Sequence, residues 1–406
     1  MTRRKSRSAL AAPALALALL WAAATTVGPF SDTTVNDLYV YRTYSELLAA
    51  GSLPYLDFGF EYPPLAALAL WLAGLPGRDE ATYAVSFAVL MAVCALLGQQ
   101  LAARLAGGSG SREAVVVAWL LALTPIAIGA SLRTHFDALP VALALAGLLA
   151  FAREHPQVGF ALLGLGTMTK LFPALLAIVA VVWLAARGQR RVALRGAVTF
   201  VAVVVALSLP FAGRGYVESF SFHLERPVQI ESTAASVLFA LGGSQVTGTN
   251  LRPDRFKSNG LDGGHARDVA ALFAAALVLA LFGVVALAAG SPEPRHLVLC
   301  GFAALLAFVT LGKVFSPQYV IWLAPFAALA WVWGQRAVAS LTAAAIVLTQ
   351  VEFPSRYFDL INVKTDVILI VAARNALLLA ALIVLAAALA RSPRPSSARC
   401  SAPARP

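Results

Sequence analysis

Long apolar runs recur along the whole chain and constrain its fold more than any other feature. With 60% apolar and 13% charged residues, the chain exceeds the apolar share of soluble domains, which is about half at most. A helix needs roughly 20 residues to cross the hydrocarbon core of a bilayer. The sequence therefore predicts an all-α, polytopic transmembrane helical bundle. Its apolar runs are 9–29, 83–103, 114–132, 138–152, 158–186, 197–212, 269–290, 297–311, 319–333, 338–351 and 367–390.

The run 158–186 can form one long tilted helix or two short helices that turn near 170–173. A lysine at the bilayer centre costs about 2.5–3.5 kcal/mol, and Lys170 would lie inside a single helix. The turn is therefore favoured, and the chain is expected to contain about 12 spans.

Charge at the two ends of the chain predicts its orientation. Arginine and lysine precede the first span and arginine follows the last, so both termini are expected in the cytoplasm of a multi-pass plasma membrane protein. The predicted cytoplasmic segments contain few acids, and most carboxylates face the extracytoplasmic side. A cleaved signal peptide at the N-terminus is the competing interpretation; we prefer an uncleaved first helix, since cleavage would leave an odd number of spans.

One membrane-embedded domain is expected over 1–390, with a disordered basic cytoplasmic tail at 391–406. Two outer loops, about 30–64 and 213–268, are long for a compact bundle, and loops of that length are usually functional or disordered. We expect both to be functional, and the Gly-rich part, 242–264, to be mobile. The segment 63–74 fits a re-entrant or interfacial helix that begins at its two prolines.

Charge and motifs exclude several classes of function. The net charge of +11 is an orientation signal, so nucleic acid is not an expected partner. The sequence contains no Walker A motif, which disfavours an ATP-driven pump. Its three cysteines have no spacing typical of a metal site or a disulfide.

Isolated polar residues gather at the predicted outer ends of helices and in the two outer loops. A carboxylate at such a place can remove a proton from a hydroxyl, and clustered basic groups can bind a phosphate. These residues include Asp37; Arg133, His135 and Asp137; Lys170; His223, Arg226, Gln229, Glu231 and Ser232; and Lys313, Ser316, Gln318 and Tyr319.

The order of these motifs resembles the polytopic GT-C glycosyltransferases, specifically the actinobacterial polyprenyl-phosphate-mannose-dependent α-mannosyltransferases of glycosyltransferase family 87. The resemblance extends from the first outer loop to the tenth span. It is based on Asn36-Asp37, Glu61-Tyr62-Pro63-Pro64, Thr169-Lys170-Leu171-Phe172-Pro173, His223-Leu224-Glu225-Arg226, Gln229-Ile230-Glu231-Ser232 and Lys313-Val314-Phe315-Ser316-Pro317-Gln318-Tyr319.

The resemblance implies an inverting transfer of mannose from a polyprenyl-phosphate donor to a glycolipid or glycan acceptor at the outer face of the membrane. In that family an aspartate of the first outer loop is the base, and Asp37 matches it. The leaving phosphate needs positive charge rather than a proton. A donor with one phosphate requires no bridging metal, so no metal or cofactor is expected. The candidates for binding the donor phosphate are Lys170, His223, Arg226, Lys313 and Gln318.

The candidates for binding acceptor or sugar are Tyr41, Asp57, Glu61, Tyr62, Arg133, Asp137 and Glu231. Each candidate also has a structural interpretation. Asp37 could cap a helix, Asp57 and Glu61 could pair with Arg42 or a helix start, and Arg133 could pair with Asp137 on a helix surface. The lysines could mark helix ends, His223 could form a loop hydrogen bond, and the tyrosines could anchor the membrane interface.

Three other functions stay open at the level of sequence. A polyprenyl-phospho-arabinose-dependent arabinofuranosyltransferase would use the same groups. A membrane transporter or flippase is compatible with any chain of many helices, although transporters tend to place ionisable residues near the bilayer midplane. A structural protein of the cell envelope would leave the phosphate-binding pattern unexplained.

Overall fold

A computed structural model describes residues 9–27, 31–108, 110–248 and 259–391. Nearly all regular structure is helical. The helices are α1 (Ala11–Ala24), α2 (Leu38–Ala49), α3 (Pro64–Ala73), α4 (Glu80–Ala106), α5 (Arg112–Ala122), α6 (Thr124–Ile128), α7 (Ser131–Thr134), α8 (Ala138–Ala152), α9 (Pro156–Thr167), α10 (Pro173–Ala186), α11 (Arg190–Ser208), α12 (Arg214–Glu225), α13 (Thr233–Leu241), α14 (Ala266–Leu287), α15 (Pro294–Leu311), α16 (Val320–Val332), α17 (Arg336–Glu352), α18 (Tyr357–Ile361) and α19 (Thr365–Ala390).

Five helical segments in the described residues are long and apolar enough to cross a membrane: Glu80–Ala106, Arg190–Phe211, Ala266–Gly290, Pro294–Leu311 and Thr365–Ala390. Five shorter apolar segments accompany them, namely α1, α3, α8, α10 and Pro317–Val332. Val198, Leu272, Leu279 and Phe282 on α11 and α14 are exposed, as expected for surfaces that face lipid. The chain is thus a helical membrane protein, and the number of about 12 spans stays a prediction.

The apolar run 158–186 forms a helical hairpin. We predicted this break because a single helix would place Lys170 in the hydrocarbon core. α9 ends at Thr167 and α10 begins at Pro173. α9 runs parallel to α11, because Phe160 packs on Gly196 and Gly164 packs on Val203. Since residues 187–189 join α10 directly to α11, α10 must run back antiparallel to α9. The structure therefore confirms the break, and Lys170 lies in the turn.

The predicted run 114–132 is also interrupted, which sequence reasoning did not foresee. Pro125 lies in the first turn of the short helix α6, and Gly129 ends it with a φ of 66°. This positive φ is one that residues other than glycine rarely adopt. After α7, His135 is extended (φ −127°, ψ 144°), and α8 begins directly after Asp137. The interruption places 135–137 at the end of the bundle beside the first outer loop.

Backbone hydrogen bonds join four distant segments at that end of the bundle. The amide of Leu65 donates to the carbonyl oxygen of Met168 at 2.8 Å, which ties the first outer loop to the α9–α10 turn. The amide of Gln229 donates to the carbonyl oxygen of Lys313 at 2.9 Å, which ties the second outer loop to the segment before α16. Predicted motifs that are far apart in sequence are therefore brought together in two pairs.

The second outer loop contains a small sheet that the all-α prediction did not include. Strands β1 (Val228–Gln229), β2 (Gln245–Gly248) and β3 (Asn259–Asp262) pair antiparallel in the order β1-β3-β2. A second apolar core lies beneath it, with Val228, Ile230, Leu261 and Val371 among its buried members. Residues 249–258 of the loop that we predicted to be mobile, and the predicted tail beyond Arg391, lie outside the described residues.

The helix predicted at the two prolines of the first loop is present. α3 begins at Pro64 with Pro63 at its N-cap. Proline is favoured at the first helical position because its missing N–H would have no intrahelical partner there. The helix is only 10 residues long, in agreement with a segment too short to span.

Candidate active site

Asp37 lies directly before α2, and its carboxylate faces the protein on one side. Its Oδ2 accepts a hydrogen bond from the Tyr41 hydroxyl at 3.2 Å and lies 3.5 Å from His135 Nε2. The Asp37 side chain is 37% exposed, whereas Tyr41 is fully buried. Although Asp37 occupies the N-cap position, its side chain makes no capping hydrogen bond. The carboxylate is therefore free of the structural role that the sequence allowed.

Sequence reasoning named His135 among the outer polar groups but assigned it no role. Its side chain is 3% exposed, and its Nδ1 lies 3.1 Å from the carbonyl oxygen of Ser131. Both ring nitrogens therefore face hydrogen-bonding groups of the protein. The only sequence signal was that a histidine lies two residues from a candidate aspartate.

Asp137 and Lys170 form a buried ion pair. Both carboxylate oxygens of Asp137 lie 2.7 Å from Lys170 Nζ, and the indole N–H of Trp322 donates to Asp137 Oδ1 at 2.5 Å. Asp137 has no exposed side-chain surface, and Lys170 is 12% exposed. The predicted donor cation Lys170 and the predicted sugar ligand Asp137 therefore bind each other. Trp322 carried no sequence signal for this role.

Aromatic rings surround the Lys170 ammonium and connect it to the Asp37 side of the site. Lys170 Nζ lies 4.8 Å from the centroid of the Phe136 ring, a cation–π distance. The Phe136 ring also packs on Tyr41 and Tyr62, with centroids 5.5 and 4.9 Å away. The predicted base and the predicted cation thus share one aromatic wall. Tyr41 and Tyr62 are part of this wall rather than exposed interface anchors.

Arg133 does not pair with Asp137, contrary to the helix-surface alternative. Its Nη2 donates to the carbonyl oxygen of Ser31 at 3.4 Å. The guanidinium therefore holds the start of the first outer loop against the segment that bears His135.

Glu61 lies between the first outer loop and the second. The Tyr44 hydroxyl donates to Glu61 Oε2 at 2.5 Å, and His223 Nε2 donates to the Glu61 carbonyl oxygen at 3.1 Å. Removal of the carboxyl from water, with a smaller contribution from Asp37, raises the pKa of Glu61 to about 7. Glu61 is thus near enough to Asp37 for the two charges to interact. The Glu61 carbonyl oxygen also holds the His223 ring in place.

Asp57 lies outside this group, on the exposed side of the loop. Its Oδ2 accepts a hydrogen bond from the amide of Leu53 at 2.7 Å and closes a local turn. It does not pair with Arg42, whose Nε lies 3.6 Å from Glu46 Oε1. The structure therefore gives Asp57 a local structural contact, while its predicted acceptor role stays a prediction.

Three cationic side chains predicted to bind the donor phosphate lie within electrostatic range of His223. Burial lowers the pKa of His223, and the charges of Arg226, Lys170 and Lys313 lower it further. Burial and the neighbouring Arg226 also lower the pKa of Lys313. Lowered pKa values of this kind mark a region of positive potential that favours an anion. His223 itself is a neutral ring near neutral pH, because its ordinary pKa of 6.5 is lowered. We call His223, Arg226, Lys313 and Lys170 the basic cluster.

Lys313 also holds the second outer loop in place. Its Nζ donates to the carbonyl oxygens of Leu224 and Arg226 at 2.6 and 2.8 Å. These carbonyls are at the end of α12, where helices lack internal donors. Gln318 is nearby in sequence and buried, and its Oε1 accepts a hydrogen bond from the Ser316 hydroxyl.

Glu231 lies in a buried polar group with Gln229, Arg374 and Asn375, near enough to Arg226 for the two charges to interact. It is 1% exposed; Gln229 Nε2 donates to its Oε2 at 2.9 Å, and Arg374 and Asn375 donate to its carbonyl oxygen. Burial, and next the charge of Glu352, raise the pKa of Glu231 well above its ordinary value. The described hydrogen bonds of Glu231 include none to the other predicted site residues.

A carboxylate, a basic cluster and a shared aromatic wall lie together at one end of an apolar helical bundle and form the candidate active site of a membrane enzyme. The chain belongs to glycosyltransferase family 87, whose family model matches residues 60–317. The match includes Glu61 and all four members of the basic cluster, whereas Asp37 precedes it. A search of curated proteins found no match to the chain. The protein is therefore a membrane glycosyltransferase of the GT-C-like type.

Proposed function

We propose that this glycosyltransferase moves a mannosyl residue from polyprenyl-phosphate-mannose to a glycolipid or glycan of the cell envelope. The observation that carries the proposal is the basic cluster: Lys313 Nζ donates to the carbonyl oxygen of Arg226, and the charges of Arg226, Lys170 and Lys313 all act on His223. A polyprenyl phosphate leaves as an anion, and cations about 4 Å from it contribute about 4 kcal/mol each at an effective dielectric constant near 20.

Asp37 is the proposed base. It accepts the proton of the acceptor hydroxyl while the hydroxyl oxygen forms a bond to the anomeric carbon. The bond between that carbon and the phosphate oxygen breaks, and the phosphate takes the electron pair. Attack opposite to the leaving group inverts the anomeric centre. Only one carboxylate is needed, because the phosphate leaves without a proton, unlike the alcohol in a glycoside hydrolase.

The proposed setting is the extracytoplasmic side of the plasma membrane, with both termini in the cytoplasm. The support is the charge asymmetry of the sequence together with the convergence of both predicted outer loops on the Asp37 side. Membrane lipid would contact the exposed apolar faces of α11 and α14. The reaction would proceed without a metal, since the donor carries a single phosphate whose charge the basic cluster can offset.

Sugar transfer by the purified protein in lipid nanodiscs tests the proposal. The donors are polyprenyl-phosphate-mannose and polyprenyl-phosphate-arabinose, the acceptor is an envelope lipid extract, and a chelator is present. We expect mannose transfer in the wild type and its loss in Asp37→Asn. Transfer of arabinose alone would replace the proposed sugar. Absence of both transfers, or dependence on added metal, would contradict the proposal.

A matched control is available on the same helix as the base. Glu46 on α2 is half exposed and pairs only with Arg42 among the described residues. Glu46→Gln is expected to transfer sugar at the wild-type rate. Equal losses in Asp37→Asn and Glu46→Gln would show that any lost carboxylate on this helix disturbs the loop.

A further inference from the structure

Two side chains from different segments face the same oxygen of Asp37. Tyr41, one turn along α2, donates to Oδ2 at 3.2 Å, and His135 Nε2 lies 3.5 Å from that oxygen. Both side chains are buried, while the carboxylate itself is partly exposed. Within the described part of the chain no hydrogen bond reaches the other oxygen, Oδ1. Oδ2 is therefore the anchored oxygen, and Oδ1 is the one that can meet a hydroxyl.

The far side of the imidazole is fixed by the backbone. His135 Nδ1 lies 3.1 Å from both the Ser131 carbonyl oxygen and the Thr134 hydroxyl oxygen. The Thr134 hydroxyl donates to the Ala130 carbonyl oxygen at 2.9 Å, so its proton is already used. A carbonyl oxygen only accepts, and Nδ1 must therefore carry a proton that it donates to Ser131. That hydrogen bond sets the plane of the ring and aims Nε2 at Asp37.

We infer that His135 is a positioning residue for the Asp37 carboxylate, an inference that rests on the proposed role of Asp37 as the base. One proton lies between Nε2 and Oδ2. With Asp37 ionised, the proton is on Nε2; the ring then carries a proton on both nitrogens, and the resulting imidazolium donates to the carboxylate. The hydrogen bond holds Oδ2 and leaves Oδ1 to receive the acceptor proton. Hydrogen bonds at catalytic groups are often long before substrate binds, which accounts for the 3.5 Å separation.

Kinetics of four variants test this role. His135→Ala is expected to lower kcat by about 10- to 100-fold, the range for lost orienting contacts, with little change in the KM of the donor. His135→Gln places an amide N–H near the position of Nε2 and is expected to recover part of the rate. In an Asp37→Asn background, His135→Ala should cause no further loss, because it acts through Asp37. Equal losses in both backgrounds would overturn the inference.

A second buried histidine provides the matched control. His296 Nε2 hydrogen bonds to the Leu287 carbonyl oxygen at 2.8 Å, far in sequence from the site. His296→Gln is expected to keep wild-type kcat. If His135→Gln were no better than His135→Ala, the ring would have a packing role only.

Thermal unfolding separates the inference from the proposed function. If the wild type transfers no lipid-linked sugar, the proposed function fails, and stability then decides the role of His135. Shifts in melting temperature of Asp37→Ala, His135→Ala and the double variant are expected to be less than additive, because each single change removes the same contact. Additive melting shifts would show that His135 does not hold Asp37 and would overturn the inference whether or not transfer is detected.

Discussion

Asp137 binds Lys170 with both carboxylate oxygens, each 2.7 Å from Nζ, across 33 residues of sequence. The pair is almost fully buried, and Trp322 adds a third hydrogen bond. Lys170 therefore belongs to the basic cluster as half of an ion pair, in which Asp137 offsets its charge. The pair joins the start of α8 to the turn of the α9–α10 hairpin. It therefore holds these two segments of the candidate site together.

We expect Asp137→Asn to destabilise the protein strongly. Removal of one partner leaves a buried ammonium without its counter-ion, which typically costs about 3–5 kcal/mol. The measurement is the free energy of unfolding of the purified protein in detergent.

The double variant Asp137→Asn/Lys170→Met is the control for this prediction. It removes both charges, and a well-packed apolar side chain in place of a buried ion is often neutral. We expect it to recover much of the lost stability. A double variant as unstable as Asp137→Asn would argue against the ion pair as the cause.

We expect Asp37→Asn to lower the rate of sugar transfer by about 100-fold or more while the fold is retained. A positioned general base typically contributes about 10²–10⁴-fold, and the amide cannot accept the proton. Since the Asp37 side chain is 37% exposed and caps no helix, the melting temperature of the variant protein should stay near that of the wild type. Full activity in a folded Asp37→Asn protein would exclude Asp37 as the base.

We expect Arg226→Gln to raise the KM for the lipid-phosphate donor about tenfold or more. A hydrogen bond to a charged group contributes about 1.5–3 kcal/mol, and the donor phosphate would lose one such partner. Arg214→Gln is the matched control, because Arg214 begins α12, which ends just before Arg226, and is 92% exposed, with Glu218 as its partner. Steady-state kinetics over donor concentration measure both variants; equal KM values would remove Arg226 from the phosphate site.

We expect the stability of the protein to fall as the pH rises from about 4.5 to about 7, in part because of Glu61. Its pKa is about 7 in the folded protein and 4.5 without the effects of the fold. Between these values the folded state holds a proton that the unfolded state has released, so stability decreases with pH and levels off above 7.

Glu61→Gln should remove this contribution, because the amide does not titrate. Melting temperatures of wild type and variant between pH 4 and 8 measure the difference in slope. Asp37→Asn should narrow the pH range over which stability falls, since the charge of Asp37 helps to raise the pKa of Glu61 in the folded protein. Parallel curves for wild type and Glu61→Gln would show that other groups cause the dependence.

Several parts of the fold followed from sequence because their causes are local. Lys170 within an apolar run is costly in lipid, and the run turns at that residue. Pro64 starts α3 because proline fits the first helical turn. The break at Thr124–Thr134 was missed, since a single proline and glycine are tolerated in membrane helices when neighbouring groups satisfy the backbone.

Some features of the candidate site could also be predicted from local sequence patterns. The order of apolar runs predicts that Asp37, His223 and Lys313 lie at the same end of the bundle, and the structure brings their segments together; which side of the membrane they face stays a prediction. The partners could not be inferred, because Trp322 reaches Asp137 over 185 residues and no local pattern encodes such a contact. Glu231 shared the predicted side but lies in a buried group with Gln229, Arg374 and Asn375.

The sequence by itself determined that the chain is a helical membrane protein with carboxylates and basic groups concentrated between particular apolar runs. Transfer of apolar side chains out of water and the cost of charge in lipid act on each segment separately, so they can be read from local composition. Only the tertiary structure decided which charges neutralise each other. Ion pairs and hydrogen bonds depend on distances of a few ångströms, and the packing of distant helices sets those distances. That packing places Lys170 beside Asp137 and His135 beside Asp37.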